Sequence, residues 1–424
     1  METKLKEQQL KVAIRVRPLK DAEGACAWRL EEDGSVYKEG EEPVPGRTAF
    51  RYDAVYDEAA DTRAVYEGVC RELVDGALRG VNGTVFAYGQ TSSGKTFTMQ
   101  GGDTYGASAP GLMHLAAEHL FAAIEARPDT DFLLRCSYLE VYNEQLRDLL
   151  AEDGTGDVQI REHPTTGVYV EGAAEAVVTE PGGMADALAR GERNRAVGAT
   201  AMNERSSRSH TVFRIVVESR PRECAEDAGV LVGALSLVDL AGSESVRLTG
   251  AVGQRAKEGG KINTSLLTLS RVVQQLGEQA AGKGHVNFRD SKLTRLLQPT
   301  LSGKAQIAML CCIAPSDGYV EETRSTLQFG SRASKVTLKP VVHEVLDDAS
   351  QLRRVKRQLA ELLKKQEQLE KEGATGKTGE LHELMESNAK LEADLAGQSE
   401  AMAKLKKMIV VGGAGDAAGA AEKP

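Results

Sequence analysis

Gly89-Gln90-Thr91-Ser92-Ser93-Gly94-Lys95-Thr96 fits the phosphate-loop template G-x-x-x-x-G-K-S/T. The residues before it, Thr84-Val85-Phe86-Ala87-Tyr88, are β-branched and aromatic, so the motif sits where a strand hands over to a helix. Glycine at both ends lets the backbone curl until its N–H groups converge on a phosphate chain. Gln90, Thr91, Ser92, Ser93 and Gly94 supply that cradle. Lys95 adds a point charge near the outer phosphates, and the Thr96 hydroxyl is placed to ligate Mg²⁺. A purely structural Gly-rich turn would need neither the preceding strand nor the Lys-Thr pair. The stretch therefore implies a bound nucleotide.

Composition narrows the class. With 424 residues, 41% of them hydrophobic and 27% charged, the chain has ample material for a core and the balance of an ordinary soluble protein. A formal net charge of −9 argues against a general nucleic-acid binder while leaving room for a local basic patch. Cys26, Cys70, Cys136, Cys224, Cys311 and Cys312 form no C-x-x-C pair, which suits reduced thiols in an intracellular protein. No apolar h-region follows the N-terminus and no apolar run approaches membrane-spanning length, so neither secretion nor a membrane is expected.

Strands and helices alternate along the chain. Strands are expected near residues 10–16, 84–88, 132–142, 211–219 and 230–240, the last central, with short ones over 158–178. Helices are expected over 62–79, ending before Gly80, and over 112–124 and 184–196. Residues 20–48 read as loops and short hairpin strands. This pattern implies an α/β fold with a central sheet covered on both faces.

Two further stretches complete a pocket. Asn203-Glu204-Arg205-Ser206-Ser207-Arg208-Ser209-His210 is polar throughout and, alone, equally describes a solvated turn. Asp239-Leu240-Ala241-Gly242-Ser243-Glu244 ends an apolar strand, where an Asp serving the Mg²⁺ shell belongs, and Gly242 can bring an N–H close to a γ-phosphate. Together with the loop they describe a site with two γ-phosphate sensors. No N-K-x-D guanine reader is present, which favours ATP over GTP.

These motifs resemble the kinesin motor domain, from about residue 8 to 340. The resemblance rests on Arg15-Val16-Arg17-Pro18, the loop with its strand, Ser206 to His210, Asp239 to Glu244, and Arg289-Asp290-Ser291-Lys292-Leu293-Thr294-Arg295-Leu296-Leu297. It implies a kinesin-type P-loop NTPase with a central mixed sheet flanked by helices, followed by a neck linker and a short coiled coil. It also implies an ATPase motor that moves along microtubules, plus-end directed because the motor precedes the linker. Arg15, Arg17 and Pro18 would frame the adenine, with Phe97 as a stacking ring. Ser206 and Ser207 would contact Mg²⁺ and γ-phosphate, Ser207 with Thr96 on the metal and Asp239 through water. Arg208 and Glu244 would close as an ion pair that positions the lytic water. Glu321, Thr323, Ser325, Thr326, Leu327 and Phe329 resemble the CENP-E-like branch most, which suggests spindle microtubules within a cytoplasmic, cytoskeletal location.

The polymer-facing side follows from the same resemblance. Ile262, Leu266, Leu269, Val272, Val273 and Leu276 keep helical spacing in what would be the relay helix on the microtubule. Around it lie Arg255, Lys257, Lys261, Lys283, His285, Arg289, Lys292 and Arg295, a cluster that reads either as a solvated face or as a surface for an acidic partner such as tubulin. Arg161 and His163 suggest a second contact. Thr264 stands where relatives carry Lys or Arg, which points to weaker polymer binding. A non-stepping tether or end-regulator, and a nucleotide-gated scaffold for some other partner, are the competing readings.

The expected organisation is a motor over 1–333, a neck linker over 334–348, a helical neck over 349–411 and a disordered tail over 412–424. His343 replaces an Asn that latches the docked linker in the family. Leu352, Val355, Leu359, Leu362, Gln366 and Leu369, then Leu381, Leu384, Asn388, Leu391, Leu395, Gln398, Met402 and Leu405, follow a/d spacing. Their polar members weaken the seam, so a weak parallel homodimer is expected, with a single amphipathic helix as the alternative.

Overall fold

The computed structural model describes residues 2–21, 23–102, 109–152, 158–163, 167–199, 205–222, 229–244, 254–279, 286–345 and 364. The chain divides into two units. The first comprises residues 1–222 and 230–344, the second 223–229 and 345–424. All that follows concerns the first. The readings of the two heptad blocks and the tail fall outside the described residues, as do those of Lys283, His285, Asn203, Glu204 and Cys224.

The central sheet runs, edge to edge, through Gln145–Asp148, Thr130–Tyr142, His210–Pro221, Val230–Asp239, Gly83–Tyr88, Gln306–Ile313, Lys11–Val16 and Ala54–Tyr56. The last five are mutually parallel, and the first three pair antiparallel. The sheet is therefore mixed, with Val230–Asp239 in its middle.

Period-two alternation sends successive side chains to opposite faces, and each face has its own core. Val85, Ala87, Leu235, Leu237, Ala308 and Leu310 pack with the helices Arg71–Leu78, Leu112–Glu125 and Pro181–Ala199. Phe86, Tyr88, Val238, Met309 and Cys311 pack with Gln254–Gln279, Lys292–Leu296 and Val320–Ala333. Strands covered on both sides must be apolar along their whole length, as Gln306–Ile313 nearly is.

Two local expectations change. The helix read over 62–79 is broken into Thr62–Val65, a π turn at Tyr66–Cys70, and Arg71–Leu78. Its core residues Val65, Val69, Leu73 and Ala77 recur every four positions, a spacing that drifts by about 40° per step in an α-helix. The wider π turn takes up that drift. The helix read from residue 184 begins instead at Pro181, because proline's missing N–H is no loss in a first turn.

After Val320–Ala333 the chain folds back along the N-terminus. Thr337–Leu338 pairs with Gln8–Gln9, and Val341–Val345 pairs antiparallel with Glu2–Lys4. The β-branched residues over 341–345 suit an added edge strand.

Candidate active site

Parallel strands deliver their functional residues at their C-terminal ends, where ligands of open α/β sheets bind. Asp239 stands directly across from Ala87, and Val16 across from Ile313, so the phosphate loop, the Asp239 stretch and the Arg15–Pro18 stretch meet along one rim. Gly89 has φ +151°, and a Cβ there would lie 2.1 Å from the Cys312 carbonyl oxygen. Gly94, at φ +96°, is the N-cap of Lys95–Gln100. Glycine is required at both for the loop to turn inward.

Lys95 is buried, and its Nζ donates to the carbonyls of Gly89 and Gln90 at 2.8 and 2.7 Å. Burial lowers its pKa, opposed by the negative charges of Asp239 and Glu244. Thr96 Oγ1 donates to Asp239 Oδ2 at 2.7 Å. Asp239 is 1% exposed, and its other carboxylate oxygen is buried with no hydrogen-bond partner. A buried anion with an unused lone-pair face, next to a threonine hydroxyl, fits a metal-bound water. A hydroxyl and a carboxylate are donors of the kind that meet Mg²⁺ held otherwise by waters and phosphate oxygens.

Arg195 sits behind Asp239 at 3.9 Å and, like it, is buried. Burial works against its charge, but Asp239, Tyr138 and Glu192 outweigh it and raise its pKa. No local pattern in Pro181–Ala199 marks this residue in the sequence.

The two stretches expected to sense a γ-phosphate meet through backbone contacts. Gly242 N donates to Ser207 O at 2.9 Å and Ser243 N to Gly89 O at 3.1 Å. The Glu244 carboxylate lies on the phosphate loop, accepting from Thr91 N at 2.8 Å and Thr91 Oγ1 at 2.5 Å. Ser206 is in the helical turn Arg205–Arg208, its side chain outside the described set.

His210 joins this assembly. Its Nδ1 accepts from Ala241 N at 3.0 Å, which leaves the proton on Nε2 to donate to Ser265 Oγ at 2.7 Å on Gln254–Gln279. Burial, with Lys95 and Arg195 nearby, pushes the His210 pKa down to about 3. The sequence displays His210 within Ser206 to His210 but gives no hint of its partner, 55 positions away.

A cavity of about 1030 Å³ opens beyond the loop, lined among others by Arg17, Pro18, Phe97, Ser207 and Leu240, and large enough for a nucleotide. Phe97 is 46% exposed on its rim. Arg17 donates to Ser92 O at 2.7 Å and is clamped by Glu23. Arg15 also lines the cavity, yet its buried guanidinium is committed to Thr98 Oγ1 and Thr62 Oγ1 at 2.9 and 3.1 Å.

Outside the cavity lining, Arg289 pairs with Glu162 of Gln159–His163 at 2.9 Å. This brings the Arg161/His163 hairpin beside the 289–295 segment. Lys292 and Arg295 are half-buried on Lys292–Leu296, and Thr264 is exposed on Gln254–Gln279. Arg255, Lys257 and Lys261 lie on that helix with side chains outside the described set. In the C-terminal strand, Asn82 Oδ1 accepts from Ala234 N at 3.0 Å, so its Nδ2 faces His343 Nε2 at 3.2 Å.

The kinesin motor domain family model matches residues 15–336. Kinesin-like protein KIN-7N of Arabidopsis thaliana is 42% identical over 356 residues, covering 84% of this chain and 42% of the relative. Kinesin-like protein KIN-7L of Oryza sativa subsp. japonica is 44% identical over 371 residues, covering 84% and 57%. The chain thus spans about half the length of these relatives. A solved fast kinesin aligns with a TM-score of 0.73 at 36% identity, covering 80% of this chain and 94% of that one. A KIF14 dimer with AMP-PNP, in complex with a microtubule, aligns at 0.72 and 35%, covering 80% and 97%.

Proposed function

Because the chain belongs to the kinesin motor domain family, we propose that it is a microtubule-stimulated ATPase that moves along microtubules, plus-end directed. The observation that carries this lies beside the cavity, where the lining residue Thr96 is hydrogen-bonded to Asp239 and the second Asp239 oxygen is buried unpaired. Such a pair suits Mg·ATP, held by Thr96 and Ser207 with Asp239 acting through water.

Hydrolysis here is phosphoryl transfer to water, a reaction governed by positioning and electrostatics. Bound Mg²⁺ would supply charge neutralisation of the phosphate oxygens. Lys95 leaves its loop carbonyls for the outer phosphates, and Gln90 to Gly94 offer N–H groups. Ser206, Ser207 and the Gly242 N–H follow the γ-phosphate. Glu244 leaves Thr91, pairs with Arg208 and accepts the proton of the attacking water through a chain of waters. Arg15, through Thr98 and Thr62, holds the framework of the base site, while Arg17, Pro18 and Phe97 face the adenine.

The contact from His210 to Ser265 favours transmission from these sensors to Gln254–Gln279, and the pairing of Val341–Val345 with Glu2–Lys4 favours a docked linker over 334–348. Arg255, Lys257, Lys261, Lys283, Arg289, Lys292 and Arg295 form the proposed tubulin face. A weak homodimer through 349–411, spindle microtubules and placement in the CENP-E-like branch complete the proposal, the branch resting on the 321–329 stretch. The relatives named above are plant KIN-7 proteins.

Steady-state ATP turnover with and without stabilised microtubules tests the reading, with Lys95→Ala as blank. A polymer-dependent rise lost in that variant supports it, and a basal rate unmoved by polymer sinks it. A non-stepping tether is the second reading, favoured by the exposed Thr264 on the proposed polymer face. It predicts ATP-sensitive co-sedimentation with no gliding of microtubules on surface-bound protein.

A further inference from the structure

The two-residue hairpin loop between Thr130–Tyr142 and Gln145–Asp148 consists of Asn143 and Glu144. Both have positive φ, 55° and 59°. This is the geometry of a type I′ turn, which favours Asn at its first position and Gly at its second. Glutamate in the glycine position is strained by its Cβ, and such strain persists only where surrounding contacts over-determine it.

Two contacts hold Glu144. Glu144 Oε1 accepts from Ser291 Oγ and Oε2 from Lys292 N, each at 2.7 Å. Ser291 is the N-cap of Lys292–Leu296 and accepts from Leu293 N at 3.1 Å. A helix start leaves its first amides without partners. Here the Lys292 amide is taken by Glu144, and the Ser291 hydroxyl, by giving its hydrogen to Glu144, turns a lone pair to Leu293. One carboxylate from the sheet edge thus completes the cap of the helix that carries Lys292 and Arg295. The preceding turn is ordered by its own bonds, from Arg289 N to Asn287 Oδ1 and from Asn287 Nδ2 to Asp290 Oδ1. The Arg289–Glu162 pair is too exposed to fix the segment by itself, with side chains 72% and 38% accessible.

We propose that Glu144 is a positioning residue for the polymer face: it sets the orientation of the basic 289–295 segment, and microtubule affinity depends on it. This rests on the motor reading above. The sign of the effect separates positioning from charge. If Glu144 acted only as a negative charge beside a basic surface, removing it would tighten binding to an acidic polymer. If it positions the helix, removing it weakens binding.

Glu144→Gly converts the loop to Asn-Gly, the preferred type I′ pair, so the hairpin itself is relieved. The expected result is a half-saturating microtubule concentration raised about tenfold, with basal turnover unchanged and a melting temperature close to the parent's, because relief of the turn offsets part of the lost cap. Amide exchange at Lys292 and Leu293 in the free protein should quicken. Glu144→Asp keeps the charge but falls a methylene short, and should weaken binding as well. Unchanged or tighter polymer binding in Glu144→Gly, or wild-type protection of those amides, overturns the proposal. A parent chain that ignores microtubules sinks the motor reading instead, and the amide exchange then decides by itself whether Glu144 holds the helix.

Discussion

Replacing Gly242 by alanine puts a methyl group where the site has no room. A Cβ there lies 2.3 Å from Thr91 Oγ1 and 2.4 Å from both Glu244 carboxylate oxygens, while ordinary contact begins at 3.4 Å. Something must shift by about an ångström. Either Glu244 is driven off Thr91, or residue 242 backs away and stretches its 2.9 Å bond to Ser207 O. The second outcome misplaces the Gly242 N–H proposed to follow the γ-phosphate, and the first forces off Thr91 a carboxylate whose departure the proposed cycle couples to the nucleotide. The atoms that must yield are side-chain ends, so folding should survive. An ångström of misplacement in a positioning-dominated reaction costs on the order of 10²-fold in rate. That is about 2.7 kcal/mol of transition-state stabilisation. The assay is steady-state turnover with and without microtubules, beside a thermal melt and binding of a fluorescent ADP analogue. The expected variant melts like the parent, binds ADP within a few-fold, and turns over about a hundredfold more slowly under polymer stimulation. Turnover within threefold of the parent would falsify the claim that the close approach of Gly242 to Ser207 and Glu244 is rate-determining geometry.

Asp239→Asn keeps the shape of the carboxylate but removes the charge behind the metal water, so the Mg²⁺ concentration for half-maximal turnover should rise roughly 10- to 100-fold in a metal titration. His210 is held neutral, its pKa about 3 against 6.5 for the free side chain, so the unfolded chain binds the extra proton. Its contribution is complete above pH 6.5 and is lost as pH falls toward 3, steepening to about tenfold in the unfolding constant per pH unit. Denaturant melts of His210→Gln should show a shallower acid limb, and an identical pH profile would count against the buried neutral imidazole. Phe329 is 1% exposed and stacks on Tyr88 at 4.0 Å, tying Val320–Ala333 to the strand that feeds the phosphate loop. Phe329→Ala should cost roughly 3 to 5 kcal/mol in chemical denaturation, and a loss under 1 kcal/mol would show that this contact is dispensable.

Much of the architecture is legible because it is local. Thr84 to Tyr88, the glycines of the loop and Lys95-Thr96 declare strand, turn and helix without reference to anything distant. Asp239 is recognisable by its place at the end of an apolar strand. The π turn at Tyr66–Cys70 has no local mark in the chain, because apolar residues four apart also suit a regular amphipathic helix. Arg195 behind Asp239 and Glu144 under Ser291 carry no local signature, since their partners lie on other elements.

Short-range chemistry therefore determined the class of ligand, the alternation of strands and helices, and the family. Backbone conformational preference and side-chain periodicity are properties of a few consecutive residues. The tertiary structure decided the rest. It assigned Arg15 to Thr98 and Thr62, laid Glu244 on Thr91, and joined His210 to Ser265 across 55 positions. Those pairings depend on sheet register, which brings Asp239 opposite Ala87, and on two cores closing over opposite faces of one sheet. Register is fixed only when all the strands pack together, so it is a property of the whole chain and of no segment within it.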